Sequence, residues 1–373
     1  MSKILFLINT LMVGGAEHVL VDIANRMAED GYDVTVKTIF DVGDYKKCLS
    51  GAVNYQSIFK YANRFTFSII NRLCRMLPAQ LLYRFVIKAK YDYEVAFVEG
   101  IPTKIIAGSS NTDSKRIAWV HTDLSKNYES RSAFRSEDEN LKCYRRFDEV
   151  LCVSEDARKG FEQRLEKHPG LAVQYNPLDK TSILTRALEE PVYKLPPKSA
   201  FRLVAVGRLA SVKGFDMLIE AMERVHKSVT TPVELYIIGG GEEEERLKAL
   251  VHHKQLTHVV QLCGQQSNPY SIMQRCDAQI VSSRAEGYSL VLCEGHMLGI
   301  PAIATKCAGP IEIISASKAG ILVDISVKGL ADGIIEMINN ASIVSAYKEN
   351  AANWSSRYDP DAIYSEIEAH FTE

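Results

Sequence analysis

The chain has 373 residues, more than one ordinary hydrophobic core holds, and this length fits two domains of about 150 to 200 residues each. Hydrophobic residues make up 46% and charged residues 24%, as in soluble globular proteins. The net charge of −2 argues against a protein that binds nucleic acid through an overall positive potential. Eight cysteines occur without a Cys-x-x-Cys pair. This argues against a zinc site and a disulfide framework, and it suits a reducing compartment.

The chain opens with a short apolar run, Ile4 to Ile8. The run is too short for a transmembrane helix, and Gly14 and Gly15 follow where a signal peptide would continue its hydrophobic region. No later segment reaches the roughly 18 apolar residues that a membrane span needs. The sequence therefore predicts a cytoplasmic protein.

The first elements form a strand–helix–strand unit. Ile4 to Ile8 is a continuous apolar run, which is typical of a strand buried on both faces. Apolar residues then recur at helical spacing from Val19 to Met27, Gly31 ends that helix, and Val34 to Ile39 makes a second strand. Such βαβ units build parallel sheets covered by helices.

The same pattern restarts late in the chain. Leu203 to Val206 is predicted as a strand, Phe215 to Val229 as a helix and Leu235 to Ile238 as the next strand. Further short strands are predicted at 278–281, 302–304 and 321–323. The fold class is therefore α/β, with two doubly wound Rossmann-like domains that enclose a ligand cleft at the carboxyl ends of their strands.

The predicted domain boundaries follow from the proline content. The stretch from Asn176 to Pro197 contains four prolines and is interpreted as the linker. The first domain then spans 1–178 together with about 355–373, and the second spans 179–354.

Two glycine-containing turns follow buried strands. Gly14-Gly15-Ala16-Glu17 lacks the GxGxxG spacing of a dinucleotide fingerprint, and it fits a plain tight turn as well as a phosphate or acceptor loop. Gly207-Arg208-Leu209 carries a second cation at Lys213. A guanidinium and an ammonium at this turn can hold a diphosphate and stabilise it as a leaving group, whereas the alternative is two solvated cations on a loop.

Two glutamates in the stretch Glu286 to Glu294 are the most informative feature. Gly287 is expected to open a helix after the strand 278–281, which places Glu294 about two turns into it, on roughly the face of Glu286. Leu290 to Cys293 are apolar, so Glu294 needs a buried partner. Carboxylates accept hydrogen bonds from sugar or ribose hydroxyls. The alternative is one glutamate favoured by the helix dipole and one exposed glutamate.

Taken together, these residues resemble glycosyltransferase family 4, a group of retaining enzymes with the GT-B fold. A lone His121 at a strand end is more often structural than functional, but in this resemblance it becomes a site residue. The matching motifs are Gly14 to Glu17, Trp119-Val-His121, Val153-Ser154, Asn176-Pro177, Val206 to Leu209, Lys213-Gly214, Ile238 to Gly241, Glu286 with Glu294, Gly299 to Pro301, and Gly309 to Glu312. Their order and spacing are specific to the family, whereas any one motif is not.

The resemblance implies a role for each matching position. Arg208 and Lys213, in the turn that begins at Gly207, bind the donor diphosphate, and Glu294 holds the ribose hydroxyls. Glu286 grips the donor sugar, as do the backbone groups of Gly287, Tyr288, Ser289 and Leu290. Gly15 approaches the phosphate from the first domain, His121 contacts the donor sugar at the reacting centre, and the base lies against Cys263 and Gly264.

The resemblance also implies the chemistry. The enzyme retains the anomeric configuration by front-face displacement, since no paired nucleophile of the retaining-glycosidase kind is evident. The donor is a nucleotide sugar, with UDP expected from the family's usual donors, and no metal or other cofactor is needed. Asp359-Pro360-Asp361 is interpreted as a helix cap rather than a metal site. The alternatives are a nucleotide-sugar epimerase, a glycogen-type synthase, and a non-catalytic nucleotide-sugar binding protein.

The segment from Tyr45 to Tyr91 contains nine Lys or Arg and no Asp or Glu. Apolar residues at helical spacing lie between the cations. This pattern is typical of a helix on an anionic membrane, although a helix pair with solvated cations also fits. We therefore expect Arg64, Arg72, Arg75, Arg84 and Lys88 to dock the enzyme on the inner leaflet, where a lipid-linked saccharide is the acceptor, in capsule, O-antigen or cell-wall glycan synthesis.

Overall fold

The structure is a computed structural model, and it describes residues 1–12, 14–60, 64–125 and 129–372. For residues 64–67, 129, 130 and 357 it describes the backbone. The chain divides into two compact units, Met1–Pro177 with Asp361–Glu373 and Leu178–Pro360.

The first unit is built on a seven-stranded parallel sheet in the order β3-β2-β1-β4-β5-β6-β7. Its strands are β1 (Lys3–Ile8), β2 (Asp33–Phe40), β3 (Asn54–Phe59), β4 (Tyr93–Ala96), β5 (Lys115–Val120), β6 (Glu149–Cys152) and β7 (Leu171–Val173). Its helices are α1 (Gly15–Glu29), α2 (Arg64–Met76), α3 (Ala79–Val86), α4 (Ile101–Ala107), α5 (Glu137–Tyr144), α6 (Glu155–Arg164) and the C-terminal α15 (Pro360–Ala369). Short 3-10 helices lie at Asp44–Cys48 and Glu129–Ala133.

The second unit is built on a six-stranded parallel sheet in the order β10-β9-β8-β11-β12-β13. Its strands are β8 (Phe201–Val206), β9 (Val233–Ile238), β10 (Val260–Leu262), β11 (Ala278–Val281), β12 (Ala302–Thr305) and β13 (Gly320–Val323). Its helices are α7 (Lys180–Ala187), α8 (Phe215–Ser228), α9 (Glu244–His253), α10 (Tyr270–Met273), α11 (Leu290–Met297), α12 (Ala308–Ser317), α13 (Val327–Asn339) and α14 (Ala341–Arg357). A 3-10 turn lies at Ser211–Lys213.

Both sheets have the doubly wound topology predicted from the sequence. The central strands are buried and apolar over Ile4–Ile8 in β1 and Leu203–Ala205 in β8, because helices cover both faces of a parallel sheet. In each unit the chain first winds to one side of the central strand and then to the other. The strand order reverses between β1 and β4 and between β8 and β11, and ligands of such sheets bind at the carboxyl ends of the strands at these points.

The second unit begins one residue earlier and ends six residues later than the sequence indicates. Most of the expected linker belongs to the second unit, because it forms the helix α7, which packs on α10 and α11. Asp179 caps the start of α7 by accepting a hydrogen bond from Ser182 N at 2.8 Å. Trp354, next to the predicted return at about residue 355, lies in α14, and its ring contacts His296 in the second unit. The chain returns to the first unit at Asp361 instead of about residue 355.

The C-terminal segment is anchored to the sheet of the first unit. The Phe371 ring packs against those of Phe6 and Tyr93, at centroid distances of 6.0 and 5.3 Å. His370 Nδ1 lies 2.7 Å from a carboxylate oxygen of Glu149, and Lys115 Nζ donates to the His370 carbonyl at 2.9 Å. The last residues therefore close the hydrophobic core of this unit.

Candidate functional site

Two loops meet where the strand order of the second sheet reverses. One follows β8 and runs from Gly207 to Gly214, and the other follows β11 and runs from Ser282 to Ser289. Because β8 and β11 are neighbours in the sheet, the two loops leave it side by side. The strongest pair of motifs in the sequence is thus brought to one place in the fold.

Lys213 and Glu286 form an ion pair between these loops. Lys213 Nζ lies 2.9 Å from one carboxylate oxygen of Glu286 and 2.8 Å from the other. The Ser283 hydroxyl donates to the same carboxylate at 2.7 Å. Both charged side chains are half-buried, so solvent screens the pair only in part. The arrangement presents a positioned cation and a positioned acceptor to any ligand at this point.

Further hydrogen bonds fix the two loops to each other. The Ser282 hydroxyl donates to the Lys213 carbonyl at 2.8 Å, and Arg284 N donates to the Val212 carbonyl at 2.7 Å. The Arg284 guanidinium binds both carboxylate oxygens of Asp216, at 2.8 and 2.9 Å, in the first turn of α8. Salt bridging by Arg284 keeps the pKa of Asp216 below its usual range despite the raising effect of burial. Sequence reasoning missed this clamp, because its partners are 68 residues apart.

The close approach of the backbones of the two loops explains why residue 214 is a glycine. Its φ of 65° lies in the left-handed region, and a Cβ atom there would stand 2.2 Å from the Ser282 carbonyl oxygen. Only a glycine therefore lets the β8 loop pass the β11 loop at this distance.

Arg208 lies in the same turn as Gly207, one residue after it. Its side chain is exposed, and it makes no hydrogen bond or ion pair with any described residue. Since Lys213 is paired with Glu286, Arg208 is a cation of the β8 loop that is not neutralised within the described part of the chain.

The helix after Glu286 starts later than predicted. It begins at Leu290 rather than at Gly287, so Glu286 precedes it by four residues and Glu294 is its fifth residue. The prediction that both glutamates share one helical face is therefore wrong. Gly309 N, at the start of α12, donates to the Glu286 carbonyl at 3.3 Å, and a Cβ on Gly309 would lie 2.7 Å from Tyr288 Cα. Close packing on α12 thus holds this stretch as a loop.

This loop carries the remaining predicted donor residues. Ser289 is the N-cap of α11, and its hydroxyl caps none of the described N–H groups of that helix. Cys293 Sγ lies 3.5 Å from the Tyr288 hydroxyl. Burial and the neighbouring Cys293 raise the pKa of Tyr288, so it stays a neutral phenol.

Glu294 has the buried partner that the sequence required. Its side chain is part of the interior, since the residue is 6% exposed, and the Tyr270 hydroxyl donates to its Oε1 at 3.1 Å. The Arg186 guanidinium stacks over the Tyr270 ring at 5.1 Å. Tyr270 and Arg186 were not predicted, because their contacts join three helices, α10, α11 and α7, that only the tertiary structure brings together.

Cys263 and Gly264 follow β10, at the same edge of the sheet. The Gly264 carbonyl accepts from Gly239 N at 2.9 Å, which ties the loops after β9 and β10 together. Gly264 has φ of 66°, and no atom lies within 4 Å of the position that a Cβ atom would occupy, so there is open space beside it. Burial raises the pKa of the Cys263 thiol to about 12, which keeps it neutral.

In the first unit, His121 follows β5 and is held by a residue that the sequence did not single out. The Glu99 Oε1 atom accepts from His121 N at 2.9 Å, from Thr122 N at 2.9 Å and from the Thr122 hydroxyl at 2.8 Å. Glu99 follows β4, and the only hint of it in the sequence is a glutamate before a glycine at the end of a buried strand. Burial raises its pKa.

The His121 ring is neutral at physiological pH. Burial lowers its pKa to about 4, although a hydrogen bond to the Phe97 backbone opposes this shift. Its Nε2 atom is buried and has no hydrogen-bond partner among the described residues. The ring therefore has one nitrogen engaged by the backbone and one available to a ligand.

The other predicted positions in the first unit are Gly15 and the cations of the basic segment. Gly15 is the first residue of α1, so the N-terminus of a 15-residue helix follows β1 as expected. Arg72, Arg75, Arg84 and Lys88 are exposed on or after α2 and α3, while the Arg64 side chain lies outside the described residues.

Asp359 and Asp361 stand at the start of α15, where the sequence placed a cap, and Asp361 pairs with Arg26 at 3.6 Å. Among the described residues no group of three His, Cys, Asp or Glu could hold a metal ion. Among those same residues no helix is both long and apolar enough to cross a bilayer.

Comparison with known proteins identifies similar sequences. Residues 189–354 match the family model described as glycosyl transferases group 1. An uncharacterized glycosyltransferase of Haemophilus influenzae is 23% identical over 373 residues, which cover 98% of this chain and 99% of the relative. The N-acetylgalactosamine-N,N'-diacetylbacillosaminyl-diphospho-undecaprenol 4-alpha-N-acetylgalactosaminyltransferase of Campylobacter jejuni is 29% identical over 189 residues, 50% of this chain and 49% of the relative.

Comparison with solved structures identifies the fold. The crystal structure of HepE from Anabaena in complex with UDP-glucose has a TM-score of 0.77 and 21% identity, and the match covers 100% of this chain and 99% of HepE. The predicted GT-B fold of two doubly wound α/β units is confirmed by this likeness and by the two strand orders.

Proposed function

We propose that this chain is a glycosyltransferase that moves a hexose or N-acetylhexosamine from a UDP-sugar to a lipid-linked or polysaccharide acceptor. The match of residues 189–354 to the glycosyl transferases group 1 model supports the proposal. The observation that carries the proposal is the Lys213–Glu286 pair at the strand-order reversal of the second sheet. A cation for the leaving diphosphate and an acceptor for sugar hydroxyls lie there in direct contact.

The donor diphosphate binds Arg208 and Lys213. Arg208 is exposed and unpaired among the described residues, so it is available to a phosphate. Lys213 leaves Glu286 and turns to the second phosphate as the ligand enters. Both cations then stabilise the negative charge that grows on the diphosphate as the glycosidic bond breaks. They neutralise charge that other transferases neutralise with a metal, and we propose transfer without one.

The sugar and the nucleoside bind on either side of these cations. Glu286 accepts hydrogen bonds from sugar hydroxyls, with the Ser283 hydroxyl holding its carboxylate in place. The backbone N–H groups from Gly287 to Ser289, together with that of Leu290 at the start of α11, face the sugar and its phosphate. Glu294, oriented by Tyr270, takes the ribose hydroxyls, and the base lies on the backbone at Cys263 and Gly264.

His121 contributes from the first unit. Since its pKa is about 4, the imidazole is neutral at the pH of the cell and adds no charge beside the reacting carbon. Its Nε2 atom accepts a hydrogen bond from a hydroxyl of the donor sugar, while Glu99 fixes the backbone on which the ring sits. Gly15, at the start of α1, allows the phosphate to approach the first unit closely.

The reaction retains the configuration of the anomeric carbon. The acceptor oxygen attacks on the face from which UDP leaves, the leaving phosphate takes the acceptor proton, and an α-linked donor gives an α-linked product. The chain supplies orientation and charge stabilisation for this step rather than a nucleophile.

The acceptor is proposed from chemistry and from relatives. The Campylobacter jejuni relative is named for transfer to a diphospho-undecaprenol-linked sugar, and HepE was crystallised with UDP-glucose. The first name supports a lipid-linked acceptor, and the second supports a nucleotide-sugar donor. We propose that the acceptor lies on the cytoplasmic face of a membrane, in the synthesis of a polysaccharide or lipopolysaccharide.

A panel of nucleotide sugars tests the proposal. Each is added to the full chain in a thermal-shift assay, and the donor that raises the midpoint most is incubated with lipid-linked saccharides. Proton NMR of the product reports the anomeric configuration. We expect one UDP-sugar to stabilise the protein and an α-linked product to form. A β-linked product contradicts retention, and stabilisation by no nucleotide sugar contradicts the function.

A further inference from the structure

We infer that an exposed apolar and basic stripe on α2 and α3 docks the first unit on an anionic membrane surface. The stripe consists of Ile69, Arg72, Leu73 and Met76 on α2 and Leu81, Arg84 and Phe85 on α3. The inference deepens the proposed function and rests on it for the lipid-linked acceptor, because docking would bring the enzyme to that acceptor.

Large apolar side chains of the stripe face solvent. Leu73 is 52%, Met76 64% and Phe85 68% exposed, and Ile69 and Leu81 exceed 40%. On α2 the stripe follows the spacing i, i+3, i+4 and i+7, so its members lie on one helical face. Large exposed apolar side chains that share one helical face mark an interaction site rather than ordinary surface.

The opposite faces of the same helices are fixed to the core. Ile70 and Cys74 of α2 and Leu82 and Tyr83 of α3 are buried in the hydrophobic cluster of the first unit. The Lys104 ammonium, which is fully buried on α4, donates to the carbonyl of Arg75 at 3.1 Å. The stripe is therefore the outer side of firmly packed helices and is presented without rearrangement.

The cations of the stripe are free to meet anionic lipid. Arg72 and Arg84, like the neighbouring Arg75 and Lys88, are exposed, and none forms an ion pair with a described carboxylate. By contrast, Lys46 and Lys47 earlier in the basic segment pair with Asp41 and Asp44 at 2.9 Å. The net positive charge of the segment is thus concentrated on α2 and α3.

An anionic membrane is the binding partner that fits both the exposed apolar side chains and the cations of the stripe. Nucleic acid would leave the five apolar side chains in water, and a second copy of the chain packed stripe to stripe would bring arginines against arginines. A lipid surface buries the apolar side chains at the level of the headgroups, while the guanidinium groups contact lipid phosphates.

The stripe lies near the edge of the first unit's sheet where the carboxyl ends of the strands meet. α2 begins five residues after β3 ends at Phe59, so the start of α2 is close to the carboxyl ends of the strands. Gly15 and His121 follow strands of that same edge. Docking through α2 would hold this edge next to the bilayer surface, where the sugar of a lipid-linked acceptor is located.

Vesicle flotation of the full chain, without donor or acceptor, tests the inference. The vesicles contain equal parts of phosphatidylglycerol and phosphatidylcholine, and pure phosphatidylcholine vesicles are the comparison. We expect binding to the anionic vesicles that weakens as salt increases. Arg72→Gln/Arg84→Gln lowers the partition coefficient about thirtyfold, at about fivefold per cation. Leu73→Ser/Phe85→Ser lowers it by at least about tenfold.

Matched variants elsewhere on the surface are the controls. Lys167→Gln/Lys194→Gln removes two exposed cations, and Leu188→Ser/Val192→Ser removes two apolar side chains that are 82% and 84% exposed. Both controls keep wild-type binding. All four variants keep the wild-type circular dichroism and thermal midpoint, because the changed side chains are exposed.

The outcomes separate this inference from the proposed function. UDP release with a water-soluble acceptor analogue is measured on the same samples, and it is unchanged in the stripe variants. Failure of the wild type to bind anionic vesicles overturns the docking inference whether or not UDP is released. Equal losses in stripe and control variants also overturn it, as does concentration-dependent dimerisation through the stripe in sedimentation with no vesicle binding.

Discussion

The Lys213 ammonium lies 2.9 and 2.8 Å from the two carboxylate oxygens of Glu286, across the point where the strand order of the second sheet reverses. A bound diphosphate and Glu286 would compete for this one ammonium. Entry of the donor therefore exchanges one ion pair for another, with the carboxylate passing to the hydroxyls of the sugar. This exchange couples recognition of the diphosphate to recognition of the sugar.

Glu286→Gln separates these two roles. Removing the carboxylate leaves Lys213 unpaired and ends a repulsion of the phosphates, so UDP binds as tightly as in the wild type or up to about tenfold more tightly. Transfer falls by about a hundredfold or more, because the sugar loses its charged acceptor. Calorimetric titration with UDP and the transfer rate measure the two effects.

Lys213→Met gives the complementary result, with UDP binding and transfer both weakened. Lys227→Met is the matched control, since Lys227 forms a 2.8 Å ion pair with Glu223 on the exposed side of α8. It leaves binding and transfer unchanged. Weaker UDP binding by Glu286→Gln would contradict the competition described above.

The Arg284–Asp216 clamp positions Glu286 without touching the donor. Arg284→Met lowers kcat about tenfold, because the β11 loop loses its bidentate contact with α8 while the reacting groups remain. Asp216→Asn has a similar effect, and the double variant is no worse than either single one. Steady-state rates and UDP affinity measure this cycle.

A control for the clamp is the pair Arg158–Glu155 on α6, a 2.9 Å contact in the first unit. Arg158→Met leaves kcat unchanged. Additive losses in the Arg284 and Asp216 variants would show that the two residues act independently, against a shared positioning role.

Gly214→Ala tests the close approach of the two loops. The residue has φ of 65°, and the new Cβ would stand 2.2 Å from the Ser282 carbonyl oxygen, so both loops must shift. We expect a loss of about 3 kcal/mol of unfolding free energy and most of the activity. Gly299→Ala, at φ of 71° with nothing within 4 Å, loses only about 1 kcal/mol and keeps its activity. Denaturant unfolding and transfer rates distinguish the two, and equal losses would contradict a backbone contact at Gly214.

His296 makes the second unit sensitive to acid. It is fully buried against Trp354, neither ring nitrogen has a hydrogen-bond partner among the described residues, and burial lowers its pKa to about 4. The unfolded chain, with a pKa of about 6.5, binds this proton first, so stability is lost as the pH falls from 6.5 towards 4. Between pH 6.5 and 5 this loss reaches about 2 kcal/mol.

His296→Phe removes that loss and keeps the aromatic contact with Trp354. Denaturant unfolding at several pH values measures the difference from the wild type, in which all other groups are the same. Met297→Leu, a change in the same helix that leaves His296 in place, retains the acid sensitivity. An unchanged pH dependence in His296→Phe would place the acid sensitivity elsewhere.

Local patterns predicted the elements of the sheets and most of the residues now placed at the site. Apolar runs located the central strands β1 and β8 nearly to the residue, because a strand buried on both faces leaves an uninterrupted signal. The contact between Lys213 and Glu286, which are 73 residues apart, could not be predicted, since it depends on β8 and β11 being neighbours in the sheet. The strand order alone creates that contact.

Other errors and omissions share this origin. Gly287 carries a local turn signal, but packing of Gly309 against Tyr288 delays α11 until Leu290. Glu99 holds the backbone at His121, and Tyr270 and Arg284 hold other side chains. Of the three, only Glu99 has a local signal, since it precedes a glycine at the end of a buried strand. The helix α7, by contrast, could have been predicted from the sequence, because Asp179 followed by Lys-Thr-Ser is an N-cap signal. The nearby prolines led instead to the prediction of a linker.

The central claim is that Arg208, Lys213 and Glu286 form the donor site of a glycosyltransferase. It is tested most directly by the rate of UDP release from the preferred UDP-sugar in the presence of acceptor, compared between the wild type, Lys213→Met and Glu286→Gln. We predict turnover by the wild type and a loss of at least about a hundredfold in each variant, with both variants folded by circular dichroism. Near-wild-type turnover by both variants would contradict the account.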